Sequence, residues 1–211
     1  MTVREGVDQG FLTKPTFRML RMKSGQPNLA SDDPNDLTRH HLFYNPKVNA
    51  FAADVANKSV GLQHRPTLIL IDEIEQFTKL LPFLRYEARF AHGPLSAEQK
   101  AKVPSQYHDS EPKKLVEAFN RLEYPILVGT SCIATGTDIQ AVQTCIYLRG
   151  GKSEVEVRQG VGRTTRLFPN KKDCVFLDFC IDDVETLARH AMARKEIYQD
   201  LYPSYEELKI A

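Results

Sequence analysis

The 211 residues are 42% hydrophobic and 26% charged, an ordinary balance for a globular chain able to bury a sizeable core. Lys and Arg number 28 against 27 Asp and Glu, a formal net charge of +1. That excludes a polybasic tail holding nucleic acid by charge alone and leaves room for a local basic patch. Apolar stretches such as Leu68 to Ile71 are strand-sized and far short of a membrane span, so no membrane partner is expected. Arg4, Glu5 and Asp8, with no apolar run behind them, do not make a secretory leader. Cys132, Cys145, Cys174 and Cys180 lack CxxC spacing and mostly sit in apolar runs, which predicts buried, reduced thiols and a cytoplasmic location rather than a metal site.

Taken from the N-terminus, Phe17 to Met22 has the composition of a strand, and Ser24 to Asp36 is a Ser, Pro, Asn and Asp-rich loop. Asn45-Pro46 can open a helix with Val48, Phe51, Ala52 and Val55 on one side. From residue 66 strands and helices alternate. Strands are predicted at Thr67–Ile71, Glu87–Ala91, Ile126–Thr130, Thr144–Leu148 and Cys174–Phe179. Helices are predicted near 73–84, 96–102, 111–122, 153–165 and 182–199. Short Val, Ile and Leu runs separated by helices predict an α/β fold, an open parallel sheet with helices on both faces. Residues 1–60 read as a connector and N-terminal extension, 61–200 as the α/β domain, and 201–211 as a short tail, a helix end or frayed segment.

Two stretches imitate a nucleotide site. Leu68 to Glu73 looks like an apolar strand delivering Asp72-Glu73 to magnesium, but no GxxxxGK[ST] precedes it, and Asp72 reads better as the cap of the next helix. Gly151-Lys152-Ser153 ends like a phosphate loop, yet Ile146 stands where that pattern needs glycine. Ser153-Glu154-Val155-Glu156 reads instead as a capping box.

The sharpest signal is Gln159-Gly160-Val161-Gly162-Arg163-Thr164-Thr165-Arg166. On one helix, positions 159, 163 and 166 share a face. Two guanidinium forks and an amide facing one way suit anion recognition. Gly160 and Gly162 weaken a helix, which suggests close backbone approach there. Upstream, the strand from Ile126 leads into Thr130 and then Gly136-Thr137-Asp138-Ile139.

These strings resemble the C-terminal motor domain of superfamily 2 helicases. The first matches motif VI, QxxGRxxR, at every specified position; the second resembles motif V. Ala91-His92-Gly93-Pro94 is similar to the family's His-Gly turn, Leu115 to Asn120 to the helix before motif V, and Leu68 to Glu73 falls where motif IV sits. Family members often carry Asn-Thr where this chain has Asp72-Glu73. The resemblance covers about residues 62–182.

The resemblance implies a RecA-like domain that closes on an N-terminal RecA-like helicase domain across ATP. Arg163 and Arg166 would be the arginine fingers, with Gly136, Asp138 and Gln159 also facing the nucleotide. Thr130, His92 and Gly93 would approach the sugar-phosphate backbone of a nucleic acid. Gln159, where DEAD-box RNA helicases usually have His, leans the substrate to DNA. Motifs I, II and III have no match, so the resemblance implies that another stretch of polypeptide supplies the phosphate loop and the Mg2+ ligands. The chain alone is then expected not to hydrolyse ATP. Two rival readings stay open: a stand-alone ATPase using Lys152 and Asp72-Glu73, and a non-catalytic binding module on the same fold.

Overall fold

A computed structural model describes residues 2–134 and 137–210. Among them, strands β1 (Lys14–Met22), β2 (Thr67–Ile71), β3 (Ala88–Ala91), β4 (Ile126–Gly129), β5 (Thr144–Leu148), β6 (Asp173–Ile181) and β7 (Tyr205–Lys209) form one seven-stranded sheet in the order β3-β4-β2-β5-β6-β1-β7. Every pairing is parallel. The helices are α1 (Val3–Asp8), α2 (Pro34–Thr38), α3 (Pro46–Gln63), α4 (Ile74–Leu80), α5 (Ala97–Lys102), α6 (Pro112–Asn120), α7 (Glu154–Thr164) and α8 (Glu185–Leu201). None of the described helices is long and apolar enough to cross a membrane.

Alternation along the strands divides the core in two. Ile69, Ile71, Val128, Ile146 and Leu148 face one side and meet Val48, Ala52 and Ala56 of α3 and Phe77 and Leu80 of α4. Leu68, Leu70, Leu127, Cys145 and Tyr147 face the other and meet Val116 and Phe119 of α6, Val157 and Val161 of α7, and Ala191 and Tyr198 of α8. A parallel sheet needs both faces covered because its crossovers lay helices on each side, which is why the central strands are buried at every position. The expected fold class is the one observed.

Local signals account for the helix ends. Asn45 Oδ1 accepts from the amides of Lys47 and Val48 at 2.9 and 3.3 Å, Pro46 occupies the first turn, and α3 stops at His64 in the left-handed region. Ser96 and Gln99 close a reciprocal capping box on α5.

Both ends of the chain depart from the sequence reading. The segment 1–60, expected as connector, joins the domain itself: its predicted strand is β1, which lies between β6 and β7, and its predicted helix is α3, all but the last three residues of which it supplies and which covers one face of the core. The tail expected as a helix end or frayed segment contains β7, paired with β1 from Phe17↔Tyr205 to Arg21↔Lys209. Its Glu-Glu-Leu-Lys has no apolar period to announce a strand, and its order comes from the β1 edge and from ion pairs of Arg18 with Glu206 and Lys195 with Glu207.

Candidate functional site

Because all strands run the same way, their carboxyl ends open on one edge of the sheet, where α/β folds bind ligands. His92 and Gly93 follow β3, Thr130 and Ser131 follow β4, Asp72 and Glu73 follow β2, and Arg149 and Gly150 follow β5. Three adjoining grooves mark this edge. One of about 500 Å³ is lined by Gly93, Thr130, Ser131, Arg149, Glu156 and Gln159. A second, about 700 Å³, runs from His92 and Gly93 past His108 to Cys132. The third, about 600 Å³, joins Thr130 and Ser131 to Asp72, Glu73, Arg39 and Tyr44.

Thr130 therefore stands where two of the grooves meet. It is 8% exposed. Its amide donates to Ala91 O at 3.1 Å, and its hydroxyl donates to Cys132 Sγ at 3.4 Å, a weak acceptor. The His92 side chain is spent on the fold: its two ring nitrogens lie 2.6 Å from Gly93 O and 2.7 Å from Tyr107 O, and its amide donates to Ser110 Oγ. What this turn offers a ligand is the backbone at Gly93, where an added Cβ would meet nothing within 4 Å.

The arginine cluster is built differently from the single helix face that the spacing predicts. α7 ends at Thr164, so Arg166 lies beyond it, in an isolated antiparallel bridge with Leu12. Gln159 is exposed in the Thr130 groove. Arg163 is 9% exposed and donates from Nη1 to Thr137 O at 2.6 Å and Thr137 Oγ1 at 3.3 Å. Arg166 forms an ion pair with Asp138. The segment after β4 and the end of α7 are thus bonded to each other, and Asn120 at the end of α6 braces the turn through Asp138 O, Gln140 N and Ala141 N at 2.7, 2.9 and 3.1 Å. Burial pulls the Arg163 pKa below its ordinary value. Gly136 lies outside the described residues.

Of the two glycines, Gly160 rests on the sheet, with an added Cβ 3.4 Å from Leu70 and 3.7 Å from Phe176. Gly162 faces open space, so close approach explains only the first.

Asp72 is not a helix cap. Glu73 precedes α4, and its carboxylate accepts from Arg39 and Tyr44 rather than from the helix. The Asp72 carboxylate instead accepts from Arg149 Nε and, at 2.8 Å, from Gly150 N, tying the end of β2 to the end of β5. Gln76 repeats the tie, accepting from Asp72 N at 3.2 Å and donating to Leu148 O at 2.6 Å. Burial works against the Arg149 charge, and Asp72 outweighs it, holding the guanidinium above its ordinary range. Ser153 does cap α7, accepting from Glu156 N at 3.5 Å, but the Glu156 carboxylate goes to Arg149 at 3.3 Å and leaves the box open. Arg149 is the groove residue that the sequence reading passes over. Its signal is an arginine directly after a five-residue buried strand and directly before Gly150-Gly151.

Residues 58–168, more than half of the chain, match the family described as the helicase conserved C-terminal domain. The chain belongs to that family. A relative named "Putative mitochondrial ATP-dependent helicase irc3" in Schizosaccharomyces pombe is 34% identical over 83 residues, which is 39% of this chain and 14% of the relative. Among solved structures, S. cerevisiae Dbp5 bound to RNA and ADP BeF3 superposes with a TM-score of 0.56 at 14% identity, over 92% of this chain and 41% of that one. The ATP-dependent Type ISP restriction-modification enzyme LlaBIII bound to DNA gives 0.55 at 12% identity, over 100% of this chain and 16% of that one. At such identities these are likenesses of fold. The chain spans less than half of each of these longer proteins.

Proposed function

We propose that this helicase C-terminal domain is the second motor half of an ATP-dependent helicase or translocase. ATP and Mg2+ are held by a phosphate-loop-bearing first domain, and Arg163 and Arg166 reach across the cleft to the phosphates while Thr130 and the Gly93 turn grip a nucleic-acid backbone. The observation that carries the reading is that Arg163 and Arg166 are held on one turn, by Thr137 and Asp138, which brings the two helicase-like strings of the sequence into a single cluster. Two guanidinium groups fit a polyphosphate. A metal is better served elsewhere, since Asp72, the carboxylate in the tempting position, is occupied by Arg149 and Gly150. Gln159 and the DNA-bound neighbour support DNA, the RNA-bound neighbour supports RNA, and DNA is the reading adopted.

A second reading has an observation of its own. Both arginines are engaged inside the domain, as they would be if their task were only to hold it together. Phosphate release separates the two. Under the motor reading this chain alone releases none from ATP, adding the first domain restores release, and single-stranded DNA stimulates it more than RNA. No restoration leaves a binding module. Release by the chain alone that vanishes in Lys152→Ala makes Gly151-Lys152-Ser153 a working phosphate loop.

A further inference from the structure

Lys171 lies between α7 and β6 and is 8% exposed. Its Nζ donates to Thr164 O at 2.7 Å, Arg166 O at 2.9 Å and Gln140 O at 3.2 Å. That uses all three donors of an ammonium, each on main-chain oxygen. Thr164 is the last residue of α7, where carbonyls run out of intrahelical donors and a cation is favoured by the helix dipole. Gln140 is two residues past Asp138. Lys171 therefore joins the two backbone segments that carry the Asp138–Arg166 ion pair. Thr13 adds a second tie, from its amide to Thr165 O at 2.6 Å and its hydroxyl to Arg166 O at 3.1 Å, but reaches one segment only. Space-filling alone would be served by an apolar side chain, and burial works against an ammonium here.

We infer that Lys171 is a positioning residue for Arg166: its ammonium fixes the backbone from which that guanidinium reaches, in register with the Asp138 turn. The consequence for turnover rests on the motor reading; the positioning itself rests on the three hydrogen bonds. It follows that removing the ammonium should loosen residues 164–167 locally and misplace the finger without weakening ATP binding.

The test is Lys171→Met, with Lys171→Arg as the charge-conserving variant. In the protein carrying both motor domains, Lys171→Met lowers kcat about tenfold or more with KM for ATP within roughly twofold, and Lys171→Arg recovers part of the loss. In this chain, hydrogen exchange at the Thr13 amide, which donates to Thr165 O, speeds up about tenfold while amides in the middle of β1 keep their rates. Unchanged kcat, or exchange that accelerates equally at Thr13 and along β1, overturns the inference and leaves Lys171 an ordinary packing residue. If the wild-type protein shows no turnover, the motor reading fails and the exchange comparison alone decides the positioning. Should Lys171→Met not fold, Lys171→Gln, which keeps a donor without the charge, is read the same way.

Discussion

Arg163 is bonded twice to Thr137, from Nη1 to the carbonyl oxygen at 2.6 Å and to the hydroxyl at 3.3 Å, and Thr137 in turn donates to Ile133 O at 2.6 Å. The guanidinium is largely buried, and the two oxygens that Thr137 offers it are neutral. A phosphate oxygen would be a stronger partner than a neutral carbonyl, because charge-assisted hydrogen bonds are roughly twice as strong. In the protein carrying both motor domains, Arg163→Ala is expected to reduce turnover by ~10³-fold or more with ATP affinity almost unchanged, since a finger acts on charge that develops in the transition state. Phosphate release and equilibrium nucleotide binding measured on the same samples check this; turnover within a few-fold of wild type sinks the finger assignment.

The Thr130 hydroxyl donates to a thiol sulfur, a weak acceptor, so handing it to a phosphate oxygen sacrifices little. Thr130→Val keeps the shape and removes the donor. Affinity for single-stranded DNA should fall by about 2- to 13-fold, the value of one hydrogen bond of ~0.5–1.5 kcal/mol. The slope of log affinity against log salt should stay the same, because no cation is lost. Fluorescence anisotropy over a salt series reads both quantities, and an unchanged affinity removes Thr130 from the contact surface.

Asp178 and Arg194 form an ion pair with side chains 1% and 3% exposed, at 2.7 Å, and Tyr198 Oη and the Phe179 amide also donate to the same carboxylate. Arg194 additionally reaches Gly151 O, ahead of α7. Removing one partner strands a buried charge. Arg194→Met is therefore expected to destabilise the chain by about 3–5 kcal/mol in urea unfolding. The double variant Asp178→Leu with Arg194→Met should recover part of that loss, because the stranded charge disappears with the pair while the buried Tyr198 hydroxyl loses its acceptor. Equal losses in the single and double variants would show that the residues act by packing alone.

What the sequence discloses here and what it hides divide by range of interaction. β2 and β5 are found at the predicted residues because a threonine followed by four largely apolar side chains is a local signal for a strand buried on both faces. The Asn45-Pro46 start of α3 is likewise complete within four residues. β7 escapes notice because its order comes from β1, nearly the whole chain away. The end of α7 is misjudged for a similar reason: helical spacing carries Arg166 onto the face of Arg163, but Lys171 and Thr13 capture the carbonyls of residues 164–166 and turn the chain away. Asp72 looks like a cap because its true partner, Arg149, is distant in sequence. The site residues are legible as strings, whereas their grouping is not: Gln159 belongs with Thr130 in a groove, and Arg166 pairs with Asp138.

Lys171 also gives the fold a pH dependence whose sign can be stated. Burial lowers its pKa from 10.5 to about 8, with the thiols of Cys174 and Cys145 opposing the shift. Between those two values the unfolded chain binds the proton and the folded chain releases it, so this group makes stability rise with pH in that window. The cost of keeping a buried ammonium is felt in full below pH 8 and relieved as pH approaches 10.5. At about 1.4 kcal/mol per pKa unit the effect is on the order of 3 kcal/mol. Other groups titrate in the same range, so the quantity to follow is the difference in urea-unfolding free energy between wild type and Lys171→Met from pH 7 to 10. That difference should move in favour of wild type as pH rises, even though the ammonium's three hydrogen bonds weaken when it loses its charge. A flat difference would mean that the carbonyls of Thr164, Arg166 and Gln140 stabilise the ammonium enough to offset its burial.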